Sequence, residues 1–262
     1  MQSDLLNYVP AEGMLRERVL LVTGAAMGIG KAVALQYARF GATVILVDKQ
    51  DHMLEAVYDE ILAAGYPEPV ICQLDLLTAT ADAYQSLALM IKQELGRLDG
   101  LLLNAAWLGA FMPVRQHDLD LWTKMLQINL QANFLLVRAC LPLLEKSPDA
   151  AIVFSTDTTD RAYYGGFGVS KAAMNALCDI LAQEYDHQPF IRVNRIHTGP
   201  VRTSLRVLNF PGEHVDSNVG PEAVVGPYLY FMGPDAGQRT GEALQLAKIP
   251  ADFHWAGEQG QG

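Results

Sequence analysis

The amino-acid sequence predicts an α/β protein with one doubly wound parallel sheet and helices on both of its faces. Short apolar runs rich in Val, Ile and Leu alternate along the chain with longer segments of helical periodicity. The apolar runs do not alternate with polar residues, which is typical of strands buried on both faces. Parallel strands require crossover helices, and right-handed crossovers place those helices on either side of the sheet.

The elements follow one another in a regular order. Strands are predicted at 18–23, 43–48, 70–75, 98–104, 150–155 and 190–197, with a seventh candidate at 243–247. Helices are predicted at 31–40, 53–65, 83–96, 119–146 and 166–187. We expect the helix 119–146 to be broken near Pro142, because proline lacks the backbone donor that a helix interior needs.

The chain is predicted to form a single domain over residues 1–262. No Ser/Gly-rich linker and no shift in composition divides it. The least regular inner segment, 205–220, lies where a substrate lid is expected, although a passive loop fits the same residues. Residues 257–262 are glycine-rich and are predicted to fray.

Composition and charge limit the classes of function. Half of the residues are hydrophobic, 18% are charged, and the formal net charge is −10 at pH 7. Such a surface repels nucleic acid and anionic membranes, so we expect neither as a partner. Cys72, Cys140 and Cys178 form no CxxC pair, and no His/Cys cluster has metal-ligand spacing. We expect free thiols, no metal and a cytoplasmic location, since no basic leader or bilayer-long apolar run is found.

A glycine-rich turn, VTGAAMGIGKAV, follows the first predicted strand and opens the first helix. Gly24, Gly28 and Gly30 allow a tight turn and let a pyrophosphate approach without Cβ clashes, as in a dinucleotide-binding Rossmann fold. The free amides at the helix start would then face the phosphates. Met27 stands before Gly28, and the turn contains no basic residue before its second glycine.

Asp48 ends the second predicted strand, where a carboxylate accepts hydrogen bonds from the adenosine ribose and repels a 2′-phosphate. With the lack of a basic residue in the turn, Asp48 favours NAD over NADP. Lys49 argues the other way, since its ammonium would reach a phosphate. A helix cap or a solvated loop carboxylate is the structural alternative for Asp48.

Six motifs in order resemble those of the short-chain dehydrogenase/reductase family over nearly the whole chain. They are TGAAMGIG (23–30), LDL (74–76), LNAA (103–106), MLQINLQANF around Asn129, FGVSK (167–171) and TGPVRT (198–203). The stretches RAYYGGFGVSK and YLYFMGPDAGQRTGEAL further resemble a bacterial subgroup of oxidoreductases, the YciK type.

The resemblance implies a nicotinamide cofactor site and hydride transfer to or from an alcohol or carbonyl. It would place Gly24, Gly28, Ile29 and Gly30 at the phosphates, Asp75 and Leu76 at the adenine, Asn104 and Ala105 under the ribose, Lys171 at the nicotinamide ribose, and Gly199, Val201 and Thr203 at the nicotinamide end. Ala106 and Thr198 stand where the family usually has glycine and proline.

The chain departs from the family's pattern at the catalytic positions. In this family a tyrosine is the general acid/base, a lysine four residues on lowers its pKa, a serine holds the substrate carbonyl, and an asparagine fixes a relaying water. Lys171 and Asn129 match, whereas Phe167 stands at the tyrosine position. Anchoring on the strand IVF puts Asp157 at the serine position, with Ser155 close by.

Three outcomes follow from the missing phenol. Tyr164 or Asp157 substitutes as the acid, the latter if a dry pocket raises its pKa. Alternatively, the protein is a pseudoenzyme that binds NAD(H) and acts through a partner. In the third alternative, the protein acts only as a partner in an oligomer. The resemblance implies a homodimer or homotetramer built on helices 119–146 and 166–187. The C-terminal residues 252–257 would then fold over a neighbouring subunit's site.

Overall fold

In a computed structural model, the chain is described over residues 2–246 and 248–257. Within these residues, seven parallel strands form one sheet in the order β3-β2-β1-β4-β5-β6-β7. The strands are β1 (Val19–Thr23), β2 (Thr43–Asp48), β3 (Val70–Gln73), β4 (Gly100–Leu103), β5 (Ala150–Thr156), β6 (Ile191–His197) and β7 (Ala243–Gln245). The predicted doubly wound fold is confirmed, and strand order reverses between β1 and β4, where such sheets bind ligands.

The helices pack on both faces of this sheet. They are α1 (Gln2–Leu6), α2 (Gly28–Arg39), α3 (Asp51–Ala63), α4 (Ala81–Met90), α5 (Leu119–Leu126), α6 (Ala132–Leu144), α7 (Gly165–Glu184), α8 (Ser204–Asn209) and α9 (Val225–Met232). Alternate residues of β1 serve the two faces. Leu20 and Val22 pack in the core that contains residues of α2 and α9. Leu21 packs in the core with residues of α4, α6 and α7.

The predicted break near Pro142 is wrong. α6 continues through Pro142 to Leu144, and Leu143 and Leu144 are both buried. Pro142 lies two residues from the end of the helix, so the lost hydrogen bond is outweighed by the packing of the last turn. The irregularity lies earlier, in a π-helical turn at Gln127–Gln131 that joins α5 to α6.

The C-terminal segment packs on its own chain. Trp255 is fully buried, and its indole Nε1 donates to the carbonyl oxygen of Tyr8 at 2.9 Å. Trp255 therefore anchors this segment on its own chain, and the coverage of a neighbouring subunit's site by residues 252–257 stays a prediction. Of the segment predicted to fray, Gly257 accepts a hydrogen bond from Arg39 at 2.6 Å, and residues 258–262 lie outside the described residues.

An ion-pair network lies at the amino ends of the strands, opposite the edge that carries the predicted site. The carboxylate of Asp149 is bound by Arg18 and Arg192, both buried. Asp99 accepts from Arg97 Nε at 2.8 Å and from the amide of Val19 at 2.9 Å. Burial alone would raise the pKa of Asp149, but Arg192 and Arg18 lower it below its ordinary range. The network therefore ties the starts of four strands together.

Neither a membrane-spanning helix nor a metal site is found in the part of the chain that is described. No helix there is long and apolar enough to cross a membrane. Within residues 2–246 and 248–257, no group of three or more His, Cys, Asp and Glu side chains is arranged to hold a metal ion.

Candidate active site

The glycine turn between β1 and α2 has the close backbone packing that only glycine permits. Gly24 has φ +68° and donates its amide to the carbonyl of Val47 at 2.8 Å. A Cβ added to Gly30 would lie 2.0 Å from the carbonyl oxygen of Gly24 and 2.7 Å from Asn104 Nδ2. Gly28, with φ +57°, begins α2. The turn therefore depends on all three predicted glycines.

The start of α2 is open to an anion. Met27 occupies the N-cap position and makes no side-chain cap hydrogen bond. The amides of the first helical turn, including those of Ile29 and Gly30, lack acceptors within the helix. Backbone donors at the positive end of a helix dipole bind phosphate groups. The turn thus fits a dinucleotide pyrophosphate.

Asp48 ends β2 and is held beside the glycine turn. Its Oδ2 accepts from the amide of Ala26 at 3.4 Å, and its Oδ1 accepts from the amide of Gln50 at 3.2 Å. Asp48 is half-buried, whereas Lys49 is exposed. The N-cap residue of α3 is Gln50, so Asp48 does not cap that helix. The carboxylate is positioned at the rim of the site, with one cationic neighbour in sequence.

Thr23 and Asn104 join the ends of β1, β4 and β5. The Thr23 hydroxyl oxygen accepts from the amides of Asn104 at 3.0 Å and Ala105 at 3.1 Å. Asn104 Oδ1 accepts from the hydroxyl of Ser155 at 3.1 Å. The same Ser155 hydroxyl lies 3.0 Å from the hydroxyl of Tyr228. Ser155 is therefore already engaged in holding the crevice together.

The remaining predicted contact residues lie around this crevice. Asp75 Oδ1 accepts from the amide of Leu77 at 2.9 Å, and Leu76 is buried beside it. Val201 pairs with Val219 in an isolated parallel bridge. Thr203 caps α8 by accepting from the amide of Arg206 at 3.2 Å. The structure thus gives Asp75 and Thr203 local capping roles as well.

Thr203 also links the segment after β6 to the glycine turn. A Cβ added to Gly28 would lie 3.2 Å from Thr203 Cγ2, so the two segments are in contact. Gly199 has φ +70° and starts the connection from β6 to α8. The segment predicted as a lid, 205–220, comprises most of α8 and a 3₁₀ turn at Val215–Ser217. Residues 205–220 therefore have partly regular secondary structure beside the site.

Asn129 lies in the π-helical turn and binds the loop after β4. Its Oδ1 accepts from the amide of Trp107 at 2.7 Å, and its Nδ2 donates to the Trp107 carbonyl at 2.9 Å. Nδ2 also lies 3.1 Å from Ser170 Oγ. The carbonyl of Asn129 accepts from Asn133 Nδ2 at 2.8 Å. The side chain therefore positions the loop and α7 relative to each other.

Lys171 and Phe167 are neighbours on one face of α7. The Lys171 Nζ donates to the carbonyl of Ser155 at 3.1 Å and lies 5.7 Å from the centroid of the Phe167 ring. Both residues are buried. Burial lowers the pKa of Lys171, and the charge of Asp157 opposes that shift. A buried cation thus stands at the carboxyl end of β5.

Three aromatic rings, those of Tyr164, Phe111 and Phe210, form an aromatic wall beside Phe167. The ring of Tyr164 is buried, 4.8 Å from the ring of Phe111 and 6.0 Å from that of Phe167. Phe210, which follows α8, lies 4.9 Å from Phe111. Tyr163 is 61% exposed and lies outside the wall. Of the two tyrosines before α7, only Tyr164 therefore lines the site.

Asp157 follows β5 and meets a histidine that the sequence analysis did not identify. Its Oδ1 accepts from the amide of Thr158 at 2.6 Å and lies 3.7 Å from Nε2 of His197, the last residue of β6. Burial would raise the pKa of Asp157, but His197, Lys171 and the Thr158 amide together lower it. Asp157 is thus ionised, and its neighbours do not supply the raised pKa that a proton donor needs.

Comparison with known proteins identifies the family. A family model described as short chain dehydrogenase matches residues 18–213. YciK, an oxidoreductase of Escherichia coli strain K12, is 38% identical over 239 residues, which cover 90% of this chain and 94% of that protein. The chain therefore belongs to the short-chain dehydrogenase family, and its likeness to YciK-type oxidoreductases is confirmed.

Solved structures share the fold over nearly the same span. A short-chain dehydrogenase from Pseudomonas syringae has a TM-score of 0.89 at 41% identity, covering 91% of this chain and 98% of that chain. One from Shigella flexneri 2a, in complex with NADP, has a TM-score of 0.86 at 38% identity, covering 90% and 99%. The bound NADP in that relative does not support the NAD preference expected from Asp48.

Proposed function

We propose that the protein is an oxidoreductase that binds a nicotinamide dinucleotide and transfers hydride between it and an alcohol or carbonyl substrate. The observation that carries the proposal is the buried ammonium of Lys171. A buried cation whose hydrogen bond goes to a neutral carbonyl is costly, and ribose hydroxyls would supply further acceptors. Lys171 lies on the sheet edge that also carries the glycine turn.

The chain's residues fit such a cofactor. The turn proposed to hold the pyrophosphate can pack against Asn104 and Ala105 only because Gly24 and Gly30 lack side chains, and the first turn of α2 follows it directly. When bound, the reduced nicotinamide supplies hydride to a carbonyl carbon. The residues proposed to hold the group are Gly24, Met27, Gly28, Ile29, Gly30, Asp48, Asp75, Leu76, Asn104, Ala105, Lys171, Gly199, Val201 and Thr203.

For the choice of cofactor we propose NAD over NADP. The carboxylate of Asp48 is held by two backbone amides at the rim of the turn, so a 2′-phosphate would meet a fixed negative charge. Lys49 is exposed and flexible enough to offset part of that repulsion. The NADP bound to the Shigella flexneri relative makes this the part of the proposal to test first.

The catalytic step is proposed to be atypical. Phe167 occupies the position of the family's tyrosine and Asp157 that of its serine, so the standard acid/base route is missing. Asn129 and Lys171 remain in their family positions. The alternative is a non-catalytic NAD-binding pseudoenzyme with a regulatory or assembly role, and the full burial of the apolar Phe167 ring favours that alternative.

Self-association is a further part of the proposal. Phe134 on α6 and Val169 and Ile180 on α7 are 44%, 49% and 52% exposed, although all three are large and apolar. Apolar side chains on neighbouring helices suit an interface between copies of the chain. We therefore propose a homodimer or homotetramer, which equilibrium sedimentation of the purified protein would test.

The enzyme and the pseudoenzyme differ in one experiment. The purified chain is incubated with NADH and a panel of aldehydes and ketones, and loss of NADH is followed. An enzyme turns over at least one of these carbonyls, and Lys171→Met abolishes that turnover. NADH binding without turnover on any carbonyl would instead favour the pseudoenzyme.

A further inference from the structure

We propose that His197, paired with Asp157, is the group that exchanges the proton with the substrate oxygen. This inference rests on the proposed function, since it supplies the acid that Phe167 cannot provide. The pair is assembled from two adjacent strands at their carboxyl ends. Thr156 of β5 is in register with His197 of β6, so Asp157 emerges beside the imidazole.

The geometry suits an acid supported by a carboxylate. His197 Nε2 lies 3.7 Å from Asp157 Oδ1, near enough for the pair to tighten into a hydrogen bond. The His197 side chain is 20% exposed, so its imidazole can recover a proton from solvent. A carboxylate beside an imidazole orients the ring and stabilises its protonated form, as in other acid/base pairs.

The charged groups around His197 come from three elements. Asp157, after β5, lies 3.7 Å from the imidazole, and Lys171 on α7 interacts with the charge of Asp157. Arg195, two residues earlier on β6, points to the same face and is paired with Asp179 of α7. β7 contributes a backbone contact, in which the amide of Leu246 donates to the His197 carbonyl at 2.9 Å. Asp157 is thus the anion that bears directly on the ring.

The other groups at this edge are less suited to donate a proton. Phe167 has none to give, and the lowered pKa of Asp157 keeps that carboxyl ionised. The ring of Tyr164 is packed between Phe111 and Phe167. Tyr164 is therefore the rival donor that an experiment must separate from His197.

The step balances with the groups named. In reduction, hydride released by the C–H bond of the reduced nicotinamide, which is thereby oxidised, adds to the carbonyl carbon and the carbonyl π pair moves to oxygen. The His197 imidazolium gives its proton to that oxygen, forming the O–H bond and leaving a neutral imidazole. Asp157 remains a carboxylate throughout, and His197 takes a new proton from water. In alcohol oxidation each movement is reversed.

The test compares His197→Gln with His187→Gln. His187 is exposed and lies 2.9 Å from Asp186, so it is a matched histidine–carboxylate pair far from the site. With NADH and the best carbonyl of the panel, we expect His197→Gln to lower kcat about 10²-fold and His187→Gln to leave it unchanged. Calorimetry should show that both variants retain the wild-type Kd for NADH within about twofold.

Two further readouts do not depend on the rate alone. In NMR spectra, the imidazole resonances of His197 and His187 are assigned by their absence from His197→Gln and His187→Gln. When NADH is added to wild type, the His197 resonance should shift and the His187 resonance should not. Reduction should slow as pH rises, because the imidazolium is the donor, and this slope should vanish in His197→Gln.

The inference is overturned if His197→Gln keeps the wild-type turnover or if Tyr164→Phe alone abolishes turnover. It is also overturned if the His197 imidazole resonance of the wild-type protein does not shift when NADH is added. NADH binding without turnover in wild type also contradicts it. Failure of the wild type to bind either NADH or NADPH contradicts the proposed function itself, which is a separate result.

Discussion

The ammonium nitrogen of Lys171 lies 5.7 Å from the centre of the Phe167 ring, one turn away on the same helix. Both side chains are buried, so the amino group of Lys171 faces the π system of the Phe167 ring. Lys171 Nζ is anchored on the carbonyl of Ser155, and the phenyl ring has no proton to exchange. Under the proposed function, Lys171 would hold a ribose, and Phe167 would not supply the acid that the family resemblance implies.

Phe167→Tyr should add a proton donor at position 167, besides the one proposed at His197. A phenol close to a buried ammonium is stabilised as its anion, which lowers its pKa towards the working range. We expect carbonyl reduction by NADH to rise about 10-fold over wild type, as measured by initial rates on the carbonyl panel. Phe167→Leu is the control, since it removes the ring without adding a hydroxyl. Equal rates in both variants would show that the position is not next to the reacting oxygen.

Gly30→Ala should disrupt the glycine turn. The new methyl group would meet the Gly24 carbonyl oxygen at 2.0 Å, and backbone cannot move away as a flexible side chain does. We expect a loss of about 2–3 kcal/mol in the free energy of unfolding. NADH binding should be lost as well. Gly212→Ala, where an added Cβ meets nothing within 4 Å, should leave both properties intact. A stable Gly30→Ala variant that binds NADH would contradict the role given to the turn.

Asp48→Ala should weaken discrimination against NADP. Removing the carboxylate removes the repulsion of a 2′-phosphate and leaves Lys49 to attract it. We expect the ratio of the NADPH and NADH dissociation constants to change about 10-fold in favour of NADPH, which is about 1.4 kcal/mol. Asp51→Ala, at an exposed carboxylate in the first turn of α3, is the matched control. The same ratio in wild type and Asp48→Ala would show that Asp48 does not select the cofactor.

Asp149→Asn should destabilise the amino ends of the strands at neutral pH. The lowered pKa of Asp149 means that its stabilisation is present above the unfolded pKa near 3.8. It is lost as pH falls through the folded value. The variant should lose about 2–3 kcal/mol at pH 7, because it leaves Arg18 and Arg192 without their anion.

Urea unfolding of Asp149→Asn and wild type at several pH values measures this effect. The difference between the two proteins in the free energy of unfolding should disappear as pH falls below about 4. Asp216→Asn breaks an exposed ion pair with Arg202 and should change stability little at any pH. A gap between Asp149→Asn and wild type that stays constant into acid would contradict the assignment.

The sequence was informative where chemistry follows from local pattern. The glycine turn, Asp48 at the end of β2 and the pairing of Lys171 with Phe167 could all be predicted from short spacings. The course of α6 through Pro142 could not, because its last turn is fixed by the burial of Leu144 in the core.

Contacts between distant parts of the chain were also beyond the sequence. Asp157 and His197 are forty residues apart and meet because β5 and β6 are adjacent and in register. Asn129 matched a family position, but its hydrogen bonds to Trp107 depend on how the loop after β4 packs. The register of β5 and β6 is the signal that would have pointed to His197, once strand order was known.

The most direct test of the proposed nicotinamide site is a calorimetric titration of the purified chain with NADH, and in parallel with NADPH, alongside Lys171→Met. We expect saturable binding of NADH to wild type and markedly weaker binding to Lys171→Met, because the contact between the Lys171 amino group and the ribose would be lost. No binding of NADH or NADPH to wild type, or equal binding to wild type and Lys171→Met, would contradict the proposed nicotinamide site.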